Sequence, residues 1–195
     1  KLNANLQLSW TAPVELPFYW NSYNGTYGIM NDNSIYLAYV DYINPQNQIF
    51  DSGIMLTHLD AVNGTYSFPA TYISNMVFPK YGVHIFDSSA KALVLWNDLT
   101  DGNFEVRCQM VNPSGSMLLQ FEGETLQYRH FGSVGKYQAV EILEGSCYVF
   151  EINNFYLSNK LYYQICNDNL SPLLEEFGME LNPDSDEIEL LKAIV

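Results

Sequence analysis

From Ser34 to Cys166 the sequence is a series of short extended-chain signals, each closed by a turn signal. "SIYLAYVDYI" is rich in aromatic and β-branched residues, and "YSFPATYISNMVF" reads as two extended pieces about Pro69. "VHIF", "ALVLW", "FEVRCQMV", "SMLLQFEGETLQYRHF", "YQAVEIL", "CYVFEI" and "LYYQIC" continue it. Strands repeated at roughly 8–12 residue spacing are the mark of an all-β sandwich or barrel. The punctuation is chemically specific. Asp101-Gly102 suits a two-residue hairpin, because glycine accepts positive φ. Asn63-Gly64, Pro113-Ser114-Gly115, Glu122-Gly123 and Glu144-Gly145 serve similarly. Phe104, Val106, Cys108 and Met110 alternate with Glu105, Arg107 and Gln109, as in a strand with one face on a core and one in water. No internal repeat stands out.

The end of the chain changes character. "SPLLEEFG" (Ser171 to Gly178) opens on a Ser-Pro pair that suits a helix N-terminus and closes on a glycine that suits a stop. "NPDSDEIELLKAIV" repeats the device, with acids in its first turn and Ile188, Leu191 and Val195 at helical spacing. The expected architecture is therefore an all-β, antiparallel β-sandwich, jelly-roll or Ig-like, with one or two short C-terminal helices. Its parts are an N-terminal strand at 1–12, a sandwich domain at 13–170 and a short helical segment at 171–195.

Composition narrows the partners. Charged residues are 15% of the 195, with a net charge of -14 from 22 acids and 8 bases. An average globular protein carries roughly 25% charged residues. Phosphate backbones and anionic membrane surfaces are held by clustered Lys and Arg. Lys80, Lys91, Arg107, Arg129 and Lys136 are scattered, so nucleic acid and anionic lipid are not expected partners. No apolar run reaches the ~20 residues that span a bilayer. Low charge with abundant Tyr and Asn suits an extracellular, cell-surface or virion protein, whose secretion signal would already be gone before Lys1.

"KLNANLQLSW" alternates without error. Leu2, Ala4, Leu6, Leu8 and Trp10 share one face. A terminal strand must be tied to a partner, either its own sheet or the open edge of a neighbouring subunit. The second option makes these five residues a donor strand. Pro13 and Pro17 then stiffen the way to "PFYWNSYNGTYG", whose rings either pack as a satellite cluster under a long loop or, through Tyr19, Trp20, Tyr23 and Tyr27, anchor a subunit contact or stack on sugars.

Motifs for chemistry are sparse. His58 stands two residues before Asp60, without a nucleophile in a matching context. His84 and His130 have no metal-ligand spacing, and neither "NDLTDGN" nor "NPDSDE" matches a calcium loop, so no metal or cofactor is expected. Glycoside cleavage needs two carboxylates at a set separation. Glu105, Glu122, Glu124, Glu141, Glu144 and Glu151 lie in or near strands, and Glu141 and Glu151 would have to meet in a cleft. Asn24, Asn63 and Asn169 begin N-x-S/T sequons. Cys108, Cys147 and Cys166 are either three buried thiols or one bridge, Cys147–Cys166, with a thiol left over. The function expected from the sequence is a non-enzymatic structural subunit of an extracellular filament, pilus or virion surface, assembling with copies of itself by strand addition. The alternative is a carbohydrate-binding or adhesin module; hydrolase activity is not excluded.

Overall fold

The computed structural model describes residues 25–29, 34–42, 52–88, 91–100, 103–129, 136–142, 146–155, 158–167, 169–174 and 179–181. They form twelve strands: β1 Gly25–Ile29, β2 Ile35–Tyr42, β3 Ser52–Leu59, β4 Tyr66–Phe78, β5 Lys80–Ser88, β6 Lys91–Thr100, β7 Asn103–Val111, β8 Glu124–Arg129, β9 Lys136–Ile142, β10 Ser146–Phe155, β11 Ser158–Cys166 and β12 Met179–Leu181. Each successive set of four is one antiparallel sheet in simple chain order. The all-β, antiparallel, sandwich-like architecture is present. Its connectivity is three consecutive meanders rather than the Greek key of a jelly-roll or Ig-like domain. The donor-strand residues Leu2 to Trp10 lie outside the described residues.

The sheets stack face to face in chain order. Tyr36, Ala38, Val40, Ile54 and Leu56 of the first sheet pack against Ala92, Val94 and Trp96 of β6. Leu93 and Leu95, on the opposite face of β6, pack with Val106, Cys108, Met110, Leu126 and Cys166 toward the third sheet. The middle sheet is thus buried on both faces, which corrects the one-faced reading of β7. Glu105 and Gln109 are buried as well. They look solvent-facing in sequence because they are polar, yet they make hydrogen bonds inside the stack. First strands lie closest together: β5 approaches β1, β2 and β3 before it and β9 after it. Successive four-stranded meanders packed this way are the building units of β-propellers.

Local chemistry fits these elements. Thr100 and Asn103 are paired, the closure that a two-residue hairpin at Asp101-Gly102 requires. Strand β4 is continuous across Pro69, but its register with β3 shifts between Leu56↔Thr71 and His58↔Phe68. Proline has no N–H for the ladder, so a bulge is where a strand tolerates it. Gly123 is required by space: a Cβ there would lie 2.1 Å from the Cys108 carbonyl oxygen and 2.8 Å from Trp96 Cη2.

The turn that follows the third strand of each sheet is one device used three times. Asn112 Oδ1 accepts the N–H groups of Ser114 (3.1 Å) and Ser116 (2.9 Å), and the Asn112 N–H donates to the Ser116 carbonyl (3.1 Å). Asn167 does the same with Asn169 (3.0 Å) and Ser171 (2.9 Å), and its N–H reaches the Ser171 carbonyl (3.1 Å). Asp60 repeats the pattern with one extra residue, capping Val62 (2.6 Å) and reaching the Thr65 carbonyl (2.9 Å). Gly64, Gly115 and Leu170 take the same place in these turns, at φ of 75°, 87° and 59°.

Upstream of the two asparagines, buried glutamines complete the match. Gln109 Oε1 accepts from the N–H groups of Met110 and Leu119, both at 3.0 Å, and its Nε2 donates to the Gln120 carbonyl at 2.9 Å. Gln164 Oε1 accepts from Ile165 and Leu174, both at 3.1 Å, and its Nε2 donates to the Leu126 carbonyl at 3.0 Å. "QMVNPSGSMLLQ" and "QICNDNLSPLLE" therefore align residue by residue. The expectation of no internal repeat is corrected: each sheet carries one copy.

The same turn overturns the first expected helix. Pro172 forms a bridge with Cys166, the Leu173 N–H donates to the Ile165 carbonyl at 2.8 Å, and Met179–Leu181 joins the sheet as β12. A Ser-Pro pair suits a helix start, but here Ser171 and Pro172 close the Asn167 turn. The boundary expected at 170 therefore cuts through a sheet. The second expected helix, 182–195, lies outside the described residues.

Candidate functional site

The repeat separates structural polar residues from those peculiar to one sheet. Thr57, Gln109 and Gln164 pair in register with Leu37, Val94 and Val149. Counting forward along the second strands brings Asp41, Asp98 and Asn153 to one position. In the middle sheet, Asp98 is neutralised by the Lys80 ammonium, Nζ to Oδ2 3.0 Å, with both side chains buried. Lys80 is held there by its own N–H, which donates to Ser52 Oγ at 2.7 Å; the Ser52 hydroxyl donates to the Phe78 carbonyl at 3.1 Å. That pair ties β5 and β6 to the first sheet.

Asp41 is built differently. It is half-buried near the end of β2, and its Oδ2 accepts from the Tyr72 hydroxyl on β4. The intervening strand β3 carries Gly53 opposite Asp41. A Cβ at Gly53 would stand 2.7 Å from Tyr72 Cε1, so only glycine lets the phenol ring cross β3 and reach the carboxylate. Tyr39 lies on the same face as Asp41 and donates to Met55 Sδ at 3.3 Å. Burial pushes the Tyr72 hydroxyl up to about 12, aided by its bond to Asp41 and that carboxylate's charge. Tyr39 is pushed higher still, first by burial and then by Asp41, Tyr72 and Tyr66. The Asp41 carboxylate acts on both rings. Tyr66, paired with Leu59, opens the same strand and is 38% exposed. It also borders a concave surface of about 280 Å³ formed with Ser67, Phe68, Pro69 and Ala70. The arrangement is a hydrogen-bonded carboxylate set among phenol rings on one sheet face. No sequence spacing signals it, because Asp41, Gly53 and Tyr72 come from three strands.

The other sequence candidates fall elsewhere. His58 is buried, stacked on Tyr36 with centroids 4.3 Å apart and near Phe68 at 5.8 Å. Asp60 serves its turn, so the pair supplies no acid–base couple. His84 is held below its ordinary value by burial. Glu105 accepts from Arg107 (3.2 Å) and Thr125 (2.9 Å). Glu122, at φ 81°, clasps Ser74 Oγ and the Asn75 N–H (2.8 Å), while its carbonyl accepts from Arg107 Nε (3.1 Å). Both acids fasten the second sheet, Glu122 also to the first. Glu141 and Glu151 lie on neighbouring strands, opposite Cys147 and Tyr137 respectively; their side chains, with Glu144, lie outside the described residues. Among the described residues no cluster of His, Cys, Asp and Glu could hold a metal.

Asn63 is exposed, but its amide donates to Asp60 Oδ2 (3.1 Å) and accepts from Thr65 N–H (2.8 Å) and Oγ1 (2.6 Å). Asn169 is exposed in the Asn167 turn, and Tyr27 is exposed on β1. Asn24, Tyr19, Trp20 and Tyr23 lie outside the described residues. Cys147 and Cys166 are register partners across β10 and β11, and Cys166 is buried.

No family model and no curated protein matches the sequence. Solved structures do match its fold. A Penicillium chrysogenum α-L-arabinanase, complexed with arabinobiose, superposes with a TM-score of 0.51 at 14% identity, covering 85% of this chain and 52% of that one. A family 117 glycoside hydrolase of the marine bacterium Zobellia galactanivorans gives 0.50 at 13%, covering 86% and 60%. The chain thus spans little more than half the length of these proteins. At such identities the likeness is one of fold.

Proposed function

We propose that this chain is a carbohydrate-binding unit, with a contact surface centred on Asp41, Tyr72 and Tyr66. The observation that carries the reading is the Asp41–Tyr72 pair laid across Gly53. A carboxylate accepts sugar hydroxyls, and phenol rings supply flat amphipathic surface with a polar edge. The fold neighbours, one of them complexed with arabinobiose, favour sugar as the ligand class. Binding is the reading because, among the described residues, the site pairs one carboxylate with phenol rings, whereas glycoside hydrolysis needs two acids flanking one bond.

Titration calorimetry with arabino- and gluco-oligosaccharides, after a glycan-array screen, tests this. Asp41→Ala should weaken binding by about tenfold, the worth of one charge-assisted hydrogen bond. Binding indifferent to Asp41→Ala and Tyr72→Phe would remove this surface. Trp20→Ala and Tyr23→Ala test the aromatic stretch separately. Self-assembly is a second reading, favoured by the unbroken alternation of Leu2, Ala4, Leu6, Leu8 and Trp10. Deleting residues 1–10 should then abolish oligomers in solution-mass measurements; an unchanged mass would end it.

A further inference from the structure

Three places carry a carboxylate or its amide at the equivalent point of the repeat: Asp41, Asp98 and Asn153. The middle one shows what that point can hold. Asp98 takes an ammonium group, Lys80 Nζ, at 3.0 Å. In the first sheet the carboxylate is kept, and among the described residues it meets a phenol, Tyr72, in place of an ammonium. Lys80–Asp98 and Arg107–Glu105 are ion pairs of the middle sheet, whereas the hydrogen-bond partner described for Asp41 is the Tyr72 phenol. Asp41 is also half-buried, where Asp98 is fully enclosed.

The surroundings favour a cation as well. Tyr39, Tyr66 and Tyr72 lie close enough to interact electrostatically. Phenol faces attract ammonium groups through the ring quadrupole. With 22 acids against 8 bases, the chain concentrates cations and repels anionic sugars. We infer that the Asp41 site binds an amino sugar, whose ammonium meets Asp41 as Lys80 meets Asp98 in the next repeat. This deepens the carbohydrate reading and rests on it. The same charge disfavours uronic, sialic and sulfated sugars.

Three hexasaccharides with one linkage and three substituents at C2 decide it: glucosamine, N-acetylglucosamine and glucose β-1,4 hexamers. Calorimetry is run below about pH 6, where a sugar amine carries its proton. Asp41→Asn is compared with Glu124→Gln, which removes one charge from β8 in the second sheet, outside the site. The amine hexamer should bind about tenfold tighter than the other two, with the preference erased by Asp41→Asn and kept by Glu124→Gln. A preference that survives Asp41→Asn reflects net charge alone and overturns the inference. Equal binding of all three hexamers through Asp41 also overturns it, and leaves the carbohydrate reading standing. Binding of none, here and on the array, overturns both.

Discussion

Asp41 and Asp98 are the same residue type at equivalent points of a repeat, with opposite fates. Lys80 makes one a closed internal pair; Gly53 gives the other to Tyr72. Gly53→Ala should push the Tyr72 ring off the sheet and cost about 1–3 kcal/mol, the range for overpacking, in a denaturant titration. It should weaken sugar binding more than a distant substitution of equal stability cost. The Tyr72 phenol is held up to about 12 from an ordinary 10.0, so the folded state keeps its proton more tightly than the unfolded state does. Its stabilising contribution is complete below about pH 10 and is lost as pH rises through about 12. Ultraviolet titration should show the delayed ionisation, and Asp41→Asn should move it downward, since the carboxylate charge is one of its causes. An unmoved ionisation would separate Tyr72 from Asp41.

The elements are set by short-range chemistry. Strand signals placed most of β2 to β11, and the turns at Asn63-Gly64, Gly115 and Glu122-Gly123 take the positive φ their residues suggest. Two expectations give way, each for its own reason. The repeat is hidden in the sequence because its copies share turn and buried polar residues, Gln109/Gln164 and Asn112/Asn167, rather than an apolar signature. The sequence suggests a helix at Ser171 because Ser-Pro is common to helix starts and tight turns; Asn167 decides between them by capping the Ser171 N–H. Gln109→Leu tests the device. It strands the Met110 and Leu119 N–H groups and the Gln120 carbonyl, at a cost of about 3 kcal/mol in chemical denaturation. The matching Gln164→Leu should cost a similar amount; a large disparity would show that the two turns are not energetically equivalent.

The described sheets form a stack whose middle layer is packed on both faces. Amide exchange should be slowest in β6, buried from Ala92 to Asp98, and faster in β1. Lys80→Met should destabilise the stack by about 3–5 kcal/mol, because it leaves Asp98 charged and enclosed, and adding Asp98→Leu should recover much of the loss. What the sequence determined by itself is the period of two along each strand and the places where the chain turns. These depend on near neighbours. What only the tertiary structure decided is which polar residues are buried, that β7 has a core on each side, and that Asp41, Gly53 and Tyr72 meet across three strands. Those outcomes depend on which sheet lies against which, and that pairing is fixed by summed contacts between segments far apart in the chain.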